Sequence, residues 1–355
     1  STHSRSTAIG TGSVTTRDDQ LMLGKAATEV TVANLSGTGT SLIVANGDGT
    51  LSRSTINDNG LDSLNCEGNG ANAVCYGPGA NATGKNSTAV GASSSAAASS
   101  NTVEFAATAI GSRANASGAS STSIGNSSRA NSQGSIALGH LANADAVRTI
   151  AIGSGSTANA SCAMAVGWNA NATASNATAL GYTANALGTN STAIGTSASA
   201  SGEDAIAIGQ SSTASNANTL AIGTEAEATK VNSIAIGLNS SSSGPNSTAL
   251  GHNAKAKGGQ SISIGRGAVA EKFGTAALGA CSNAFGNRSI AVGVYANATS
   301  ECSMAIGFGA ESTAVNSIAI GDSASTSADN ATAVGTLAVA TQLNSSAYGT
   351  EAAAT

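Results

Sequence analysis

The chain has 355 residues and a formal net charge of −5, with 9% charged residues, 3% aromatic residues, 44 glycines and 2 prolines. So few large side chains argue against an ordinary compact core, and so few charges and prolines argue against a disordered chain. The net negative charge and the lack of a basic stripe argue against nucleic-acid binding. The sequence contains no run of about 18 apolar residues, so no membrane-spanning helix is predicted. What remains is a thin, repetitive structure in which small residues let backbones pack closely.

The N-terminal part of the chain divides into a short repeat segment, 1–24, and an insert, 25–76. Ser1 is not preceded by Met, so we expect a processed product whose export signal or anchor lies outside this sequence. Within the insert, Glu29–Leu35 and Ser41–Ala45 are predicted strands, and Asn46–Gly49 is a predicted hairpin turn.

The insert also contains two patterns with chemical meaning. Asn46, Asp48 and Thr50 have the spacing of a calcium loop, but no acidic closing ligand follows at the right distance, which favours a plain turn. Cys66 and Cys75 stand nine residues apart in a Gly- and Asn-rich stretch, which predicts a local disulfide and an oxidising, extracellular setting.

From residue 77 onward the chain is a repeat of 14 residues marked by the tripeptide Ala-(Ile/Leu/Val)-Gly. Gly77 and Gly91 are 14 residues apart, and a longer step of 20 residues leads to Gly111. From there every step is 14 residues, at Gly111, Gly125, Gly139, Gly153, Gly167, Gly181, Gly195, Gly209, Gly223, Gly237, Gly251, Gly265, Gly279, Gly293, Gly307, Gly321, Gly335 and Gly349. A strict period of this kind indicates one supersecondary unit stacked many times.

We number each unit from its glycine as position 0. Positions −3 and −1 are mostly Ile, Leu, Val, Met or Thr, and position −2 is mostly Ala, so one face of a predicted strand is bulky and the other is small. Positions +3 and +5 are small and position +4 is mostly polar, which predicts a second strand with its polar side outward. The predicted fold is an all-β parallel roll with coils of 14 residues, about 4.8 Å apart, around a thin Ile, Val and Ala interior.

The small face of the first strand is the predicted oligomer interface, because a close approach of another backbone explains why Ala and Gly recur there. The alternative is that these residues only permit tight turns. The residues assigned to the interface are Ala151, Ala207, Gly209, Ala235, Gly237 and Ala305.

Two features interrupt or decorate the roll domain, 77–355. One coil carries six extra residues near 97–104, which predicts a loop that either binds a partner or is a tolerated insertion. Trp168 and Tyr182 both occupy position +1 in adjacent coils, where exposed rings could contact a sugar or a partner, although scattered surface aromatics are also normal.

Sequons for N-glycosylation fall in two columns of the repeat. Asn176 and its equivalents at position −5 have a structural explanation as an amide ladder between coils. The column at +4 must face water, so glycans of a eukaryotic secretory pathway should occupy +4 before −5, which glycopeptide mass spectrometry would test. The predicted acceptors are Asn81, Asn115, Asn171 and Asn297.

No catalytic or metal-binding pattern is found in the sequence, so we expect no enzyme activity and no cofactor. His140 and His252 share position +1 but lie eight coils apart, roughly 38 Å, and His3 lies far from both. No pairing is predicted for the cysteines Cys162, Cys281 and Cys302.

The recurring pattern N-S-x-A-I-G-x-x-A-x-A, as in Asn232–Gly237 and Asn316–Gly321, resembles the head repeat of trimeric autotransporter adhesins (YadA-like heads). This resemblance covers 77–349 closely and 6–24 weakly. It implies a left-handed roll, a homotrimer, an extracellular or cell-surface location, and binding to a host, matrix or glycan surface.

The resemblance leaves one alternative open, because neither the heptad stalk nor the membrane anchor of that family is present in the sequence. A purely structural fibre glycoprotein of a virus, phage or eukaryotic cell surface could use the same roll, and its location would then include the virion surface.

Overall fold

A computed structural model describes residues 3–15, 18, 21–23, 43–45, 51–53, 66–98 and 106–355. Every regular element in these ranges is a β-strand. The chain forms two compact units, Ser1–Ser63 and Leu64–Thr355.

The first unit contains two pairs of short strands. Thr7–Ile9 pairs in parallel with Leu21–Leu23, one 14-residue step later, so the weak N-terminal repeat is confirmed. Ile43–Ala45 pairs antiparallel with Leu51–Arg53, on either side of the predicted turn 46–49, which lies outside the described residues. The predicted strand 29–35 and the residues of the weak calcium pattern, 46, 48 and 50, lie outside the described residues.

The second unit is built from two parallel sheets that run its whole length. Sheet I consists of the strands at positions −3 to −1. Its twenty described strands are Val74–Tyr76, Thr88–Val90, Thr108–Ile110, Thr122–Ile124, Ile136–Leu138, Ile150–Ile152, Met164–Val166, Thr178–Leu180, Thr192–Ile194, Ile206–Ile208, Leu220–Ile222, Ile234–Ile236, Thr248–Leu250, Ile262–Ile264, Ala276–Leu278, Ile290–Val292, Met304–Ile306, Ile318–Ile320, Thr332–Val334 and Ser346–Tyr348.

Sheet II consists of shorter strands centred on positions +4 and +5. Its described strands are Cys66–Asn69, Ala80–Ala82, Ser95–Ala96, Asn115–Ala116, Arg129–Ala130, Asn143–Ala144, Thr157–Ala158, Asn171–Ala172, Asn185–Ala186, Ser199–Ala200, Thr213–Ala214, Glu227–Ala228, Ser241–Ser242, Lys255–Ala256, Val269–Ala270, Asn283–Ala284, Asn297–Ala298, Glu311–Ser312, Ser325–Thr326, Val339–Ala340 and Ala353–Ala354.

Apart from one coil with an insertion, each strand pairs in parallel with the strand 14 residues further along the chain. In sheet I, Ile234 pairs with Thr248, and in sheet II, Ser241 pairs with Lys255. The predicted parallel β-solenoid with 14-residue coils is therefore confirmed. It begins earlier than the predicted boundary at 77, because Cys66–Asn69 already pairs with Ala80–Ala82.

Two β-turns per coil connect the sheets, and each places a residue in the left-handed region of the backbone. Asn246, at position −5, has φ 56°, and Asn253, at position +2, also has φ 56°. A positive φ at the third residue of a turn is typical of type II turns and favours Gly or Asn. This preference is a second reason for the recurrent Asn at −5, beside the predicted amide ladder.

The interior between the two sheets holds only small side chains. From Ala80 to Ala340, alanines at positions −2, +3 and +5 have no exposed surface, and the largest fully buried side chains of the described residues are threonines. The expectation of an Ile and Val interior was wrong, because the bulky side chains at −3 and −1 point away from sheet II. The small face of sheet I is the inner face.

The repeat glycines form a continuous column in which each coil rests on the next. A Cβ added to Gly237 would lie 2.6 Å from the carbonyl oxygen of Gly251, and Gly237 has φ 129°, which L-residues rarely adopt. The close backbone approach predicted for this column exists, but the approaching backbone belongs to the next coil of the same chain.

Many hydroxyl groups in the thin core are hydrogen-bonded within their own coil, whereas those of Ser191, Ser261 and Ser289 have no partner among the described residues. Ser240 Oγ donates to the carbonyl oxygen of Gly237 at 2.9 Å, and Thr219 Oγ1 donates to that of Asn216 at 2.6 Å. Where serine replaces a core alanine, it finds a partner in the core: Ser242 Oγ lies 2.6 Å from Ser247 Oγ, and Ser263 Oγ donates to the carbonyl oxygen of Ala268 at 2.8 Å. These bonds close the turns and offset the cost of burying hydroxyl groups.

The six-residue insertion leaves both sheets in register. Thr88 pairs with Thr108, and Ser95 pairs with Asn115, so both partners are 20 residues apart instead of 14. The extra residues therefore lie between Ala96 and Ala107. Most of the predicted loop, 99–105, falls outside the described residues.

Cys75 is disulfide-bonded, whereas Cys162, Cys281 and Cys302 carry free thiols. The side chain of Cys66 lies outside the described residues, so its pairing with Cys75 stays a prediction. The backbone favours it, because Cys66 pairs in register with Ala80, which is fully buried in the core. Peptide mapping without reduction should yield one cross-linked peptide containing both residues, and free thiols at both would contradict the pairing.

Candidate functional site

The outer face of sheet I is a continuous apolar surface. The side chains at positions −3 and −1 stand on it, and many of them are more than one-third exposed: Ile136 is 37% exposed, Leu180 is 44% exposed and Ile262 is 42% exposed. We call this surface, formed by positions −3 and −1 of the strands from Thr108 to Tyr348, the outer apolar face.

The outer apolar face is large for a protein surface in water. Its strands stack in register through 18 successive coils, or roughly 80 Å at about 4.8 Å per coil. Soluble monomers rarely expose contiguous apolar patches larger than a few hundred Å², and larger patches mark contacts with other molecules. The chain thus buries its smallest apolar side chains and exposes its largest ones.

The six residues assigned to an oligomer interface do not lie on this surface. Ala151, Ala207, Ala235 and Ala305 have no exposed surface within the single chain, and the remaining two are the stacked glycines Gly209 and Gly237. That assignment was wrong, because their small size serves the packing of the chain's own coils.

The outer face of sheet II is polar, as predicted. Arg129, Glu227 and Lys255 at position +4 are exposed, while Asn115, like the other predicted glycan acceptors of that column, is half-buried. At position −5, by contrast, amide nitrogens are engaged in ladders: Asn176 Nδ2 donates to Asn190 Oδ1 at 3.0 Å. Exposure does not favour +4, because Asn176 is exposed, whereas the side-chain oxygens of Asn81 and Asn297 are buried. The preference of glycans for +4 therefore stays a prediction.

The structure brings Trp168 and Tyr182 together on the edge that follows sheet I. Their rings are parallel, with centroids 4.7 Å apart and an interplanar angle of 12°. Trp168 is 47% exposed and Tyr182 is 53% exposed. The two stacked rings come from adjacent coils and are both accessible to solvent. A ligand contact there stays a prediction.

Neither a metal-binding cluster nor a membrane-spanning helix occurs in the described part of the chain. It contains no group of three or more His, Cys, Asp or Glu side chains that could hold a metal ion. It also contains no helix that is long and apolar enough to cross a membrane.

Comparison with known proteins identifies the repeat. A family model described as YadA head domain repeat matches ten segments, at residues 69–98, 106–128, 130–156, 163–184, 186–212, 214–240, 242–268, 270–296, 298–324 and 327–352. No curated protein matches the chain.

Among solved structures, the collagen-binding domain of the Yersinia adhesin YadA is similar, with 24% identity over 48% of this chain and 70% of that chain, and a TM-score of 0.21. The segments matched by the family model cover most of the chain and coincide with the solenoid coils. The chain belongs to the YadA head repeat family.

Proposed function

We propose that the chain is the head of a non-enzymatic, cell-surface adhesin, assembled as a homotrimer through its outer apolar face. The observation that carries the proposal is the exposure of the bulky residues at −3 and −1 along the whole roll. Membership of the YadA head repeat family supports the adhesin role and the trimer.

The assembly follows from the distribution of side chains. Sheets I and II of one chain already enclose their own alanine core, so no part of the described roll covers the outer apolar face. Copies of the same chain present the same face with the same 14-residue period, so a symmetric bundle matches coil to coil over its full length. Burial of this face among three copies would supply the apolar area that the thin core lacks.

The attachment role follows from what the bundle leaves exposed. With sheet I turned toward the threefold axis, the polar face of sheet II and the turn residues remain in water on every coil. A rod of this kind repeats its surface many times, so weak individual contacts can add up through multivalency.

The attachment role can be tested with beads coated with the full chain. Such beads should adhere to a layer of reconstituted basement-membrane matrix several-fold better than beads coated with albumin, and soluble full chain should compete. Adhesion no better than that of the albumin beads, with the chain still folded and assembled, would contradict the adhesin role and favour a structural fibre.

A further inference from the structure

The positive charge of the chain is concentrated in one stretch of the rod. Residues 231–300 contain five basic residues and one acid, Glu271, a balance of 5 − 1 = +4, whereas the whole chain has a net charge of −5. The rest of the chain therefore carries −5 − 4 = −9. The basic residues of this stretch are Lys255, Lys257, Arg266, Lys272 and Arg288. The negative net charge of the whole chain does not show this local excess of positive charge.

Three of these residues follow one another through consecutive coils, on sheet II and the turn that follows it. Lys255 stands at +4 on sheet II, and Lys272 stands at +7 in the next coil. Arg288 lies one coil further on, at position −5 relative to Gly293. All three side chains are exposed. None has an ion pair within the described ranges, because the one pair in this stretch joins Lys257 Nζ to Glu271 Oε2 at 2.8 Å. We call Lys255, Lys272 and Arg288 the basic strip; it runs over three consecutive coils, or slightly more than two coil spacings, roughly 10–12 Å.

An apolar ledge lies against the basic strip. The rings of Pro245 and Phe273 flank Gly259, since a Cβ built there would lie 3.4 Å from Pro245 Cγ and 3.4 Å from Phe273 Cδ2. Phe273 is 51% exposed. Arg288 runs back over Gly274, the residue after Phe273, with its Cγ 3.7 Å from a Cβ built on that glycine.

We propose that the basic strip and the Phe273 ledge bind a linear sulfated polysaccharide. Sulfate and carboxylate groups accept charge-assisted hydrogen bonds from Lys and Arg, and the C–H face of a pyranose ring packs on an exposed aromatic ring. A sulfated disaccharide carries several anionic groups within a length comparable to that of the strip. This inference rests on the proposed adhesin function and names its ligand class.

The surroundings of the strip disfavour a long, stiff polyanion such as double-stranded DNA. Glu225 and Glu227 precede the strip on the rod, and Glu301 and Glu311 follow it, with no basic residue after Arg288. A duplex lying along the rod would meet these acids, and three free cations are few compared with the 6–10 phosphate contacts of typical DNA-binding proteins. A flexible polysaccharide can cross the rod at the strip alone.

The test uses the full chain and immobilised heparin in 0.15 M salt. The strip variant combines Lys255→Ser, Lys272→Ser and Arg288→Asn. The control variant combines Arg129→Ser, Lys230→Ser and Arg148→Asn, which removes three exposed cations from the same three columns elsewhere on the rod. Ser occurs naturally at +4 and +7, and Asn at −5, in other coils, so both variants should fold.

We expect saturable binding by the unaltered chain, at least a tenfold loss of affinity in the strip variant, and less than a threefold loss in the control variant. The slope of log Kd against log salt should be about 2 and should fall toward zero in the strip variant. Phe273→Asn should weaken binding several-fold while leaving that salt slope unchanged.

Equal losses in the strip and control variants would overturn the site. Equal binding of desulfated heparin, or equally strong competition by single-stranded DNA, would overturn the ligand class. The mass of each variant in solution and its attachment to matrix are measured on the same samples, so loss of heparin binding is distinguishable from failure of the proposed adhesin function.

Discussion

Replacing Ile208, Ile222 and Ile236 by glutamate should convert the assembled rod into folded monomers. These residues occupy position −1 in three adjacent coils and pair in register within sheet I. They are half-buried in the single chain, so its own core does not need them. Each change removes about 1–2 kcal/mol of apolar burial per chain in the assembly and adds the cost of desolvating a carboxylate.

The measurement is sedimentation velocity combined with circular dichroism. The variant should sediment as a 33.7 kDa chain and retain its β spectrum. The matched control is Ser199→Glu, Thr213→Glu and Ser241→Glu, three changes at +4 of sheet II, where Glu227 occurs naturally. The control should stay assembled. Retention of the assembly by the Ile variant would mean that the outer apolar face is not the interface.

Replacing Gly237 by alanine should unfold the coils around it. Its φ of 129° is unfavourable for any residue with a Cβ, and the added atom would meet the carbonyl oxygen of Gly251 at 2.6 Å. The atoms it would meet, the carbonyl oxygen and carbon of Gly251, belong to the backbone and cannot rotate away. The local cost should therefore exceed ~3 kcal/mol.

Native-state hydrogen exchange measures this effect coil by coil. The amides of Gly237 and Gly251 donate to Ile222 O and Ile236 O, each at 2.8 Å, and should lose protection. Gly267→Asn is the matched control, because Gly267 has φ 67° and its nearest contact is Cys281 Sγ at 3.7 Å, while Asn occurs at the same position in Asn253. Protection of the Gly237 coil unchanged by alanine would contradict the stacked-glycine account.

The architecture of the roll was predictable because its signal is periodicity. The 14-residue spacing of glycines defined the coils, and the alternation around Ile234–Ile236 and Ser241–Ser242 placed one strand in each sheet. Parallel stacking followed, since a single coil cannot bury its apolar residues. The start of the roll at Cys66 was missed because the coil before Gly77 lacks the marker glycine, with Ser63 in its place.

The direction of the strand faces was mispredicted because the rule that large apolar residues lie inside fails for a thin roll. Only four residues, 237–240, connect Ile236 to Ser241, and five, 243–247, connect Ser242 to Thr248. Such short turns cannot hold two sheets at the spacing of about 10 Å that ordinary side chains require. The interior therefore admits Ala, Ser and Thr.

A usable signal for the correct orientation was present in the repeats. Position −2 is almost uniformly Ala, whereas position −3 varies among Thr178, Ile206, Leu220 and Ala276. A uniform column indicates a tightly packed interior, and a varied one indicates a partly exposed surface. The surface functions were harder to predict, since the pairing of Lys257 with Glu271 and the position of Phe273 over Gly259 depend on neighbouring coils.

The mass of the unaltered chain in solution tests the central claim most directly. Sedimentation equilibrium over a range of micromolar concentrations should give 3 × 33.7, or about 101 kDa, if three copies cover the outer apolar face. A monodisperse species of 33.7 kDa with intact β structure would contradict the account, because the large apolar side chains would then stand in water along the whole rod.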